Sequence, residues 1–366
     1  MKPTYTFPVL RGIQAGREYY LAMCSLKLVP RILLYNEVGV PAELRAQRVL
    51  NKSRVPEIAN YIVDNPKEYV FSALTASIDS NVEFTPFSND LDDSKTIGIL
   101  KIPMDATIVI NDGQHRRAAI DEALKKSPEL ADESIAIVFF IDAGLKRSQQ
   151  MFADLNKHAV RPSQSLGILY EHREPLAELV RFLSVNVPVF KPLTEKEKTS
   201  ISNRSPKLFT LSGIYQATAE LLRKRPDDPI NEKEKDLAYE FWNEVSKVIP
   251  EWEMASRREV SCAALREEFV HAHGVVHQAI GIAGADLLAQ FPVNWKQKLS
   301  AFRQIDWSRQ NSSIWEGRTM FQGRISKAQR QVTLTANYLK SILGLSLTPN
   351  EQKVEDSYDK ELEVKI

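Results

Sequence analysis

The chain has 366 residues, 43% of them apolar, which is enough to bury a sizeable core in two domains or one elaborated domain. Its 48 Lys and Arg residues against 47 Asp and Glu residues leave a net charge of +1, which excludes a protein that coats nucleic acid through uniform positive charge. The two distant cysteines exclude a disulfide framework, and no run of about 20 apolar residues predicts a membrane span. We therefore expect a cytoplasmic protein with no membrane contact, in which any DNA site is local.

The first 162 residues alternate between β-type and helical patterns, which predicts a compact α/β (α+β) domain. The apolar run Ile32–Tyr35 is also typical of a buried segment, and the acidic stretch Ser88–Lys95 of a surface loop. The predicted strands are Tyr19–Cys24, Val70–Ile78, Ile97–Pro103, Thr107–Ile110 and Ile135–Ile141, and the predicted helices are Ala42–Leu50, Pro56–Val63, Arg116–Lys126 and Lys146–Asn156.

From residue 163 to residue 348 the periodicity becomes almost wholly helical, which predicts a mainly α-helical domain without a convincing strand. Residues 349–366 carry six acidic and three basic side chains, so we expect an exposed acidic tail. The predicted helices are Leu176–Leu183, Tyr215–Leu222, Leu237–Ile249, Cys262–Gln290, Trp295–Ile305 and Ser326–Leu343.

The segment from Thr107 to Ile120 is the most informative motif of the chain. A β-branched run stops at Asn111-Asp112-Gly113 and continues as an Ala-rich helical pattern, which predicts a strand, a tight turn and a helix start. Backbone amides at a helix start favour an anion, and the turn is followed by four donor side chains, Gln114, His115, Arg116 and Arg117. The alternative is an ordinary turn whose arginines are solvated or ion-paired.

The same residues carry a family resemblance. Asp112 to Arg116 spells DGQHR, which resembles the phosphate turn of ParB and sulfiredoxin-like domains, and together with other blocks it resembles the DndB family of DGQHR-domain proteins. That family accompanies gene clusters for DNA phosphorothioate modification. The resemblance implies a ParB/sulfiredoxin-like N-terminal domain and a repressor that binds the promoter of its own cluster. The further blocks are Arg54–Asn65, Met151–Asn156 with Arg161–Ser163, and Tyr338–Leu345.

By their order in the ParB-like arrangement, Arg54 and Asn156 are expected beside the turn, with His158 close by. The alternative for each is a surface charge or a helix cap. The phosphate or nucleotide site predicted in this way comprises Gly113, Gln114, His115, Arg116, Arg117, Arg54 and Asn156.

Catalysis at the turn is chemically conceivable, because His115 beside Arg116 and Asp112 offers a general base and a phosphoryl-binding group. A nucleotide-hydrolysing or DNA-nicking enzyme is therefore the alternative function. The sequence lacks a phosphate-binding P-loop and an evident set of Mg²⁺ ligands, and Gln114 stands where sulfiredoxin chemistry needs a cysteine. A bound nucleotide acting as a switch stays open.

Two other patterns have ordinary interpretations. His271, His273 and His277 have a spacing that permits a metal, but Gly274, Gly281 and Gly284 in the same stretch indicate close helix packing, so we predict no metal site. Cys262 is interpreted as a buried thiol, with a reactive thiol as the alternative.

Two basic segments are candidates for binding double-stranded DNA. Residues 303–340 carry seven basic and two acidic side chains among aromatic and amide residues, and residues 196–207 mix lysine, arginine and small hydroxyl side chains ahead of a helix. The alternative is a solvated helix face. Because operators are often palindromic, the expected protein is a homodimer. The predicted DNA contacts are Lys196, Asn203, Arg204, Lys207, Arg309, Gln310, Asn311, Arg318, Arg324 and Lys327.

Overall fold

The computed structural model describes residues 3–33, 50–51, 53–87, 95–141, 145–157 and 162–363. The chain forms two compact units, Met1–Val160 and Arg161–Ile366. The predicted helix Ala42–Leu50 lies outside the described residues except for Leu50, as does the predicted loop Ser88–Lys95 except for Lys95. No helix of the described ranges combines the length and the apolar character needed to cross a bilayer.

The first unit is built on a seven-stranded sheet with the order β4-β5-β1-β2-β7-β3-β6. Neighbouring strands are antiparallel except β3 and β7, which are parallel. Alternate side chains such as Phe7, Val9, Leu100 and Ile102 point into the core, which is why these segments form half-buried strands. The strands are β1 Thr4–Gln14, β2 Arg17–Ser25, β3 Leu74–Asp79, β4 Glu83–Pro86, β5 Ile97–Pro103, β6 Thr107–Asp112 and β7 Ser134–Ile141.

Four α-helices of the described residues accompany the sheet, so the predicted α/β class of this unit is confirmed. Helices α2 and α3 run side by side in the same direction, since Asn51 contacts His115 at their starts and Lys126 contacts Asn60 near their ends. The helices are α1 Val29–Ile32, α2 Arg54–Asp64, α3 Gln114–Lys126 and α4 Leu145–Lys157.

Strands β1 and β4 are absent from the sequence prediction. Proline usually argues against a sheet interior because it lacks a backbone N–H, yet Pro8 sits within β1, which pairs on both sides. The apolar run at Ile32 is also different from the prediction, because Ile32 ends helix α1, while Leu34 and Tyr35 lie outside the described residues.

The second unit is mainly helical, as predicted, with two short strand pairs, β8 with β9 and β10 with β11. Its core contains all five tryptophans of the chain. The elements are α5 Gln164–Tyr170, α6 Pro175–Asn186, α7 Phe190–Leu193, β8 Thr194–Glu195, β9 Phe209–Thr210, α8 Leu211–Leu222, α9 Glu232–Val248, α10 Pro250–Ser256, α11 Cys262–Glu268, α12 Gly274–Gln290, α13 Trp295–Leu299, α14 Ser312–Trp315, β10 Met320–Phe321, β11 Arg324–Ile325, α15 Gln329–Leu343 and α16 Pro349–Glu363.

Helix α12 is the centre of this unit and packs against α8 and α15. A Cβ atom on Gly281 would lie 2.1 Å from the carbonyl oxygen of Ala217, and one on Gly284 would lie 2.4 Å from the ring of Phe241. These glycines therefore permit the close helix packing that their spacing predicts.

The predicted helix Cys262–Gln290 is interrupted between α11 and α12. Phe269 is extended and bridges to Ser308, and the Val270 amide donates to the Trp307 carbonyl at 2.9 Å. This pairing with a distant segment replaces local helical hydrogen bonds, which is why helical periodicity alone gave the wrong boundary.

Residues Pro349–Glu363 of the predicted tail form helix α16, most of whose side chains are exposed, as expected, although the helix packs against α15. Tyr358 is 3% exposed, and its hydroxyl donates to the Glu316 carbonyl at 2.8 Å. Glu351 pairs with the buried Lys340, and Glu355 with Arg318. The acidic side chains thus neutralise buried cations, a role that composition alone does not reveal.

Candidate functional site

The turn after β6 starts with a β-bulge. Thr75 pairs with Asp112 and Ala76 with Ile110, which leaves Asn111 as the extra residue. The buried Asn111 side chain accepts a hydrogen bond from the Ser77 hydroxyl at 2.7 Å. The bulge therefore fixes the direction in which the chain leaves the sheet.

Gly113 turns the chain from strand to helix with φ 99° and ψ 18°, in the left-handed region. A Cβ atom at this position would lie 2.4 Å from the Leu74 side chain. Helix α3 starts at once, at Gln114 instead of the predicted Arg116, and the Arg117 amide donates to the Gly113 carbonyl at 2.9 Å. The earlier amides form the free N-terminal end of α3, as the predicted anion site requires.

The four donor side chains do not converge on that end, because successive helical residues point about 100° apart. Gln114 turns inward and donates to the Asn111 carbonyl at 2.9 Å. His115 accepts a hydrogen bond through Nε2 from the Asn51 amide at 3.0 Å. The pKa of His115 is lowered mainly because the ring is partly buried, and to a smaller extent because the positive charge of Arg54 is nearby.

Both arginines of the motif are held by backbone carbonyls. Arg116 forms an ion pair with Asp112 at 2.7 Å and donates to the Ser72 and Ala73 carbonyls at 2.6 and 3.1 Å. Arg117 donates to the Pro30 and Leu33 carbonyls of α1 at 2.6 and 3.3 Å. Arg116 therefore has the ion pair that the alternative interpretation predicts, whereas Arg117 is held by carbonyl groups.

Arg54 does lie near the turn, since its charge acts on His115 and its amide donates to the Asn51 carbonyl at 3.1 Å. Asn156 belongs to α4, which lies against β6, but its side chain is outside the described part of the chain, and so is all of His158. Phosphate or nucleotide binding at this turn stays a prediction.

The second unit brings the two basic segments together around a cavity of about 630 Å³. Three predicted DNA contacts, Asn203, Arg309 and Lys327, line this cavity although they come from distant parts of the chain. Arg266 joins them, because it donates to the Asn203 carbonyl at 2.9 Å while Arg309 donates to the Arg266 carbonyl at 3.2 Å.

A second cavity, of about 460 Å³, is lined by the basic residues Arg204, Lys207 and Arg258. Its lining includes the end of the basic segment 196–207, whose earlier residues Thr199, Ile201 and Asn203 line the first cavity. Arg204 and Arg258 are exposed, whereas Lys207 is half-buried and donates to the Pro192 carbonyl at 2.9 Å. The segment 196–207 therefore borders two cavities, and both of them are lined by basic side chains.

The remaining predicted DNA contacts differ in their surroundings. Gln310 and Arg324 are exposed, and Lys196 is half-buried. Asn311 donates to Asp306 at 3.0 Å. Arg318 is paired with Glu355 and lies over the Tyr358 ring at 4.4 Å, so its charge is already neutralised inside the fold.

The histidines have packing roles, as the sequence predicts. The Trp252 ring N–H donates to His271 Nδ1 at 3.2 Å, and His277 Nε2 donates to the His271 carbonyl at 2.9 Å. Burial lowers the pKa of His271 and of His277 to about 3. Among the described residues, no group of three acidic, His or Cys side chains is arranged to hold a metal ion.

Cys262 has a buried side chain whose thiol donates to the Pro206 carbonyl at 3.2 Å. Burial raises its pKa, which disagrees with a reactive thiol.

Two important residues have no sequence signal of their own: Asn111 acquires its role from the bulge, and Arg266 from a loop about 60 positions earlier in the chain.

Comparison with known families identifies a match over nearly the whole chain. Residues 7–346 match the family model of DNA-sulfur modification-associated proteins, DndB. No curated protein and no solved structure matches the chain. The likeness of the first unit to ParB and sulfiredoxin domains therefore stays a prediction.

Proposed function

The chain belongs to the DndB family of DNA-sulfur modification-associated proteins, and from this premise we propose that it is a DNA-binding regulator that represses its own modification gene cluster. It acts in the cytoplasm, where it binds double-stranded DNA at the promoter of that cluster.

The observation that carries the proposal is the meeting of two basic segments in the second unit. Residues 196–207 and 303–340 are separated by about 100 positions, yet Asn203, Arg309 and Lys327 line one cavity. A chain with a net charge of only +1 needs such a local concentration of cations to bind DNA.

The side chains have distinct roles in this proposal. Basic residues neutralise phosphates, which gives affinity and salt dependence without reading sequence. Asn203 and Gln310 are exposed amides that read base edges. The phosphate contacts are Lys196, Arg204, Lys207, Arg309, Arg324 and Lys327.

A homodimer presents this surface twice, which matches a palindromic operator.

Arg318 and Asn311 are left out of the DNA contacts, because Glu355 and Asp306 already engage them.

The rival function, a nucleotidase or nicking enzyme at the DGQHR turn, has less support. Its arginines contact backbone carbonyls, and the His115 Nε2 atom that would act as a base accepts the Asn51 amide. Catalysis would require these contacts to be exchanged for substrate.

Fluorescence anisotropy tests the proposal with a duplex from upstream of the gene cluster and a scrambled duplex of equal length, each at two salt concentrations. We expect tighter binding to the promoter duplex, weakened by salt, without any added nucleotide. Equal binding of both duplexes would contradict a promoter-specific repressor. The variant His115→Ala distinguishes the two functions. It would abolish nucleotide hydrolysis or DNA nicking if the rival function were correct, and it leaves promoter binding unchanged if the proposed function is correct.

A further inference from the structure

The cavity of about 630 Å³ in the second unit concentrates positive charge that the fold itself does not balance. Arg266, Arg309 and Lys327 line it, and the only acidic residue of the lining is Glu267. Within the part of the chain that the structure describes, none of these three cations forms an ion pair. Their hydrogen bonds go to carbonyl groups, which carry no net charge.

Arg266 is the deepest of the three cations and is only 9% exposed. Its terminal nitrogens donate to the carbonyls of Ser202, Asn203 and Ser205 at 3.2, 2.9 and 2.8 Å. Its Nε atom is buried and has no hydrogen-bond partner among the residues that the structure describes. A buried N–H of a charged group without an acceptor is unfavourable, so an acceptor supplied by a ligand would be stabilising.

The remaining lining also suits an anion. Gly274 begins the 17-residue helix α12 at the cavity, and since the Val276 and His277 amides donate to the His273 carbonyl, the Gly274 and Val275 amides are the ones offered to an anion. His273 Nε2 donates to the Arg266 carbonyl at 2.9 Å, and burial lowers the pKa of His273 to about 4, so that this ring is neutral at pH 7. The positive charge of the cavity therefore comes from the arginines and the lysine.

We propose that this cavity binds a small phosphorylated ligand of the nucleotide or sugar-phosphate class, with its phosphate beside Lys327, Arg309 and the start of α12. A volume of about 630 Å³ exceeds the needs of a bare phosphate and lies in the range of about 300–1,000 Å³ that small-molecule sites occupy. Thr199, Thr210 and Asn203 supply hydroxyl and amide groups for the rest of the ligand. This site is distinct from the DGQHR turn, and it shares Asn203, Arg309 and Lys327 with the proposed DNA surface, so the ligand and DNA would compete for these side chains.

The position of Gly274 offers a specific test. A Cβ atom there would lie 3.5 Å from the Lys327 ammonium, an ordinary contact distance. Gly274→Asp therefore places a carboxylate where the ligand's phosphate is expected, at a helix start that favours negative charge. Gly167→Asp is the matched control, because Gly167 belongs to the same unit, lies outside the cavity lining and has open space around it.

Thermal unfolding of the full chain is measured with inorganic phosphate, ribose 5-phosphate and AMP at millimolar concentration, against adenosine and chloride of equal ionic strength. We expect a saturable rise in Tm with the phosphorylated probes, largest for AMP or ribose 5-phosphate and absent for adenosine. Gly274→Asp abolishes the rise, and Gly167→Asp retains it. Lys327→Met, which removes the ammonium that donates to Gln216, weakens the apparent affinity about tenfold or more.

The proposal is overturned if no phosphorylated probe gives a saturable rise, or if Gly274→Asp and Lys327→Met leave the rise unchanged. It is also overturned if a duplex oligonucleotide alone raises Tm and Gly274→Asp removes that effect, because the cavity would then hold a DNA phosphate. If Gly274→Asp does not fold, Lys327→Met decides the question.

Discussion

Gly113 sets the geometry of the DGQHR turn through its backbone. At φ 99° a side chain is strained, and the nearby Leu74 leaves no room for one. The sequence pattern predicts this turn correctly because Asp-Gly after a β-branched run is a strong local signal.

Gly113→Ala should destabilise the protein by about 2–4 kcal/mol, since the strained φ and the contact with Leu74 act together. Gly16→Ala is the control, because Gly16 has φ 72° but nothing within 4 Å of its Cβ position, and only about 1 kcal/mol is expected. Urea titrations followed by circular dichroism measure both losses. Equal losses would contradict the steric role of Leu74.

The hydrogen-bond partners of the side chains after Gly113 come from distant parts of the chain. The motif predicts donors around an anion, but the contacts of Arg116 with Ser72 and of Arg117 with Pro30 depend on segments about 40 and 90 residues earlier. Sequence spacing places residues on a helix, whereas the acceptors come from the rest of the fold. The presence of the turn was therefore predictable, and the partners of its side chains were not.

At the scale of elements, the segment around the start of α12 contains three buried or half-buried histidines. Burial lowers the pKa of His271 and of His277 to about 3, because the neutral ring is preferred in the core. In the unfolded chain a histidine has a pKa of about 6.5. The stability that these groups contribute is therefore present above pH 6.5 and is lost as the pH falls toward the folded pKa.

We predict that the free energy of unfolding declines between pH 6.5 and pH 4.5 with a contribution of about 1.4 kcal/mol per pH unit from each of these two histidines. Tryptophan fluorescence in urea reports on the correct unit, because all five tryptophans lie there. His277→Gln should reduce the slope by one such contribution, while the exposed His172→Gln should not change it. A wild-type stability that is flat over this range would contradict the buried neutral state.

Helix α16 is mostly exposed, but a few of its side chains bind the rest of the second unit. Its charge pattern indicates an exposed segment, because the buried partners Lys340 and Arg318 lie earlier in the chain. About one turn after Glu355, the Tyr358 ring packs over Gly317.

Tyr358→Ala should therefore lower the free energy of unfolding by about 3 kcal/mol or more, as expected for a large buried side chain. Tyr170→Ala removes the same group from a site that is 69% exposed, and less than about 1 kcal/mol is expected. Similar losses at both positions, measured by urea titration, would mean that α16 contributes no packing.

For the whole molecule, hydrophobic periodicity correctly indicated an α/β part followed by a helical part. It missed β1, whose Pro8 conceals the strand pattern, and it missed the interruption before α12, which depends on pairing with Ser308. Both basic segments were recognised from their composition. Their meeting around one cavity could not be predicted, because Arg266 links them through contacts that span about 60 residues.

The central claim is that the basic segments 196–207 and 303–340 of the second unit bind promoter DNA. The salt dependence of binding tests this claim most directly. The slope of log Kd against log salt concentration is measured for the wild type, for Arg204→Gln and for Arg330→Gln. Arg204 is an exposed proposed contact, whereas Arg330 is paired with Glu361 at 2.7 Å and serves as the control. We predict that Arg204→Gln lowers the slope by about one unit and that Arg330→Gln leaves it unchanged. Identical slopes for all three proteins, or no binding by the wild type, would contradict the account.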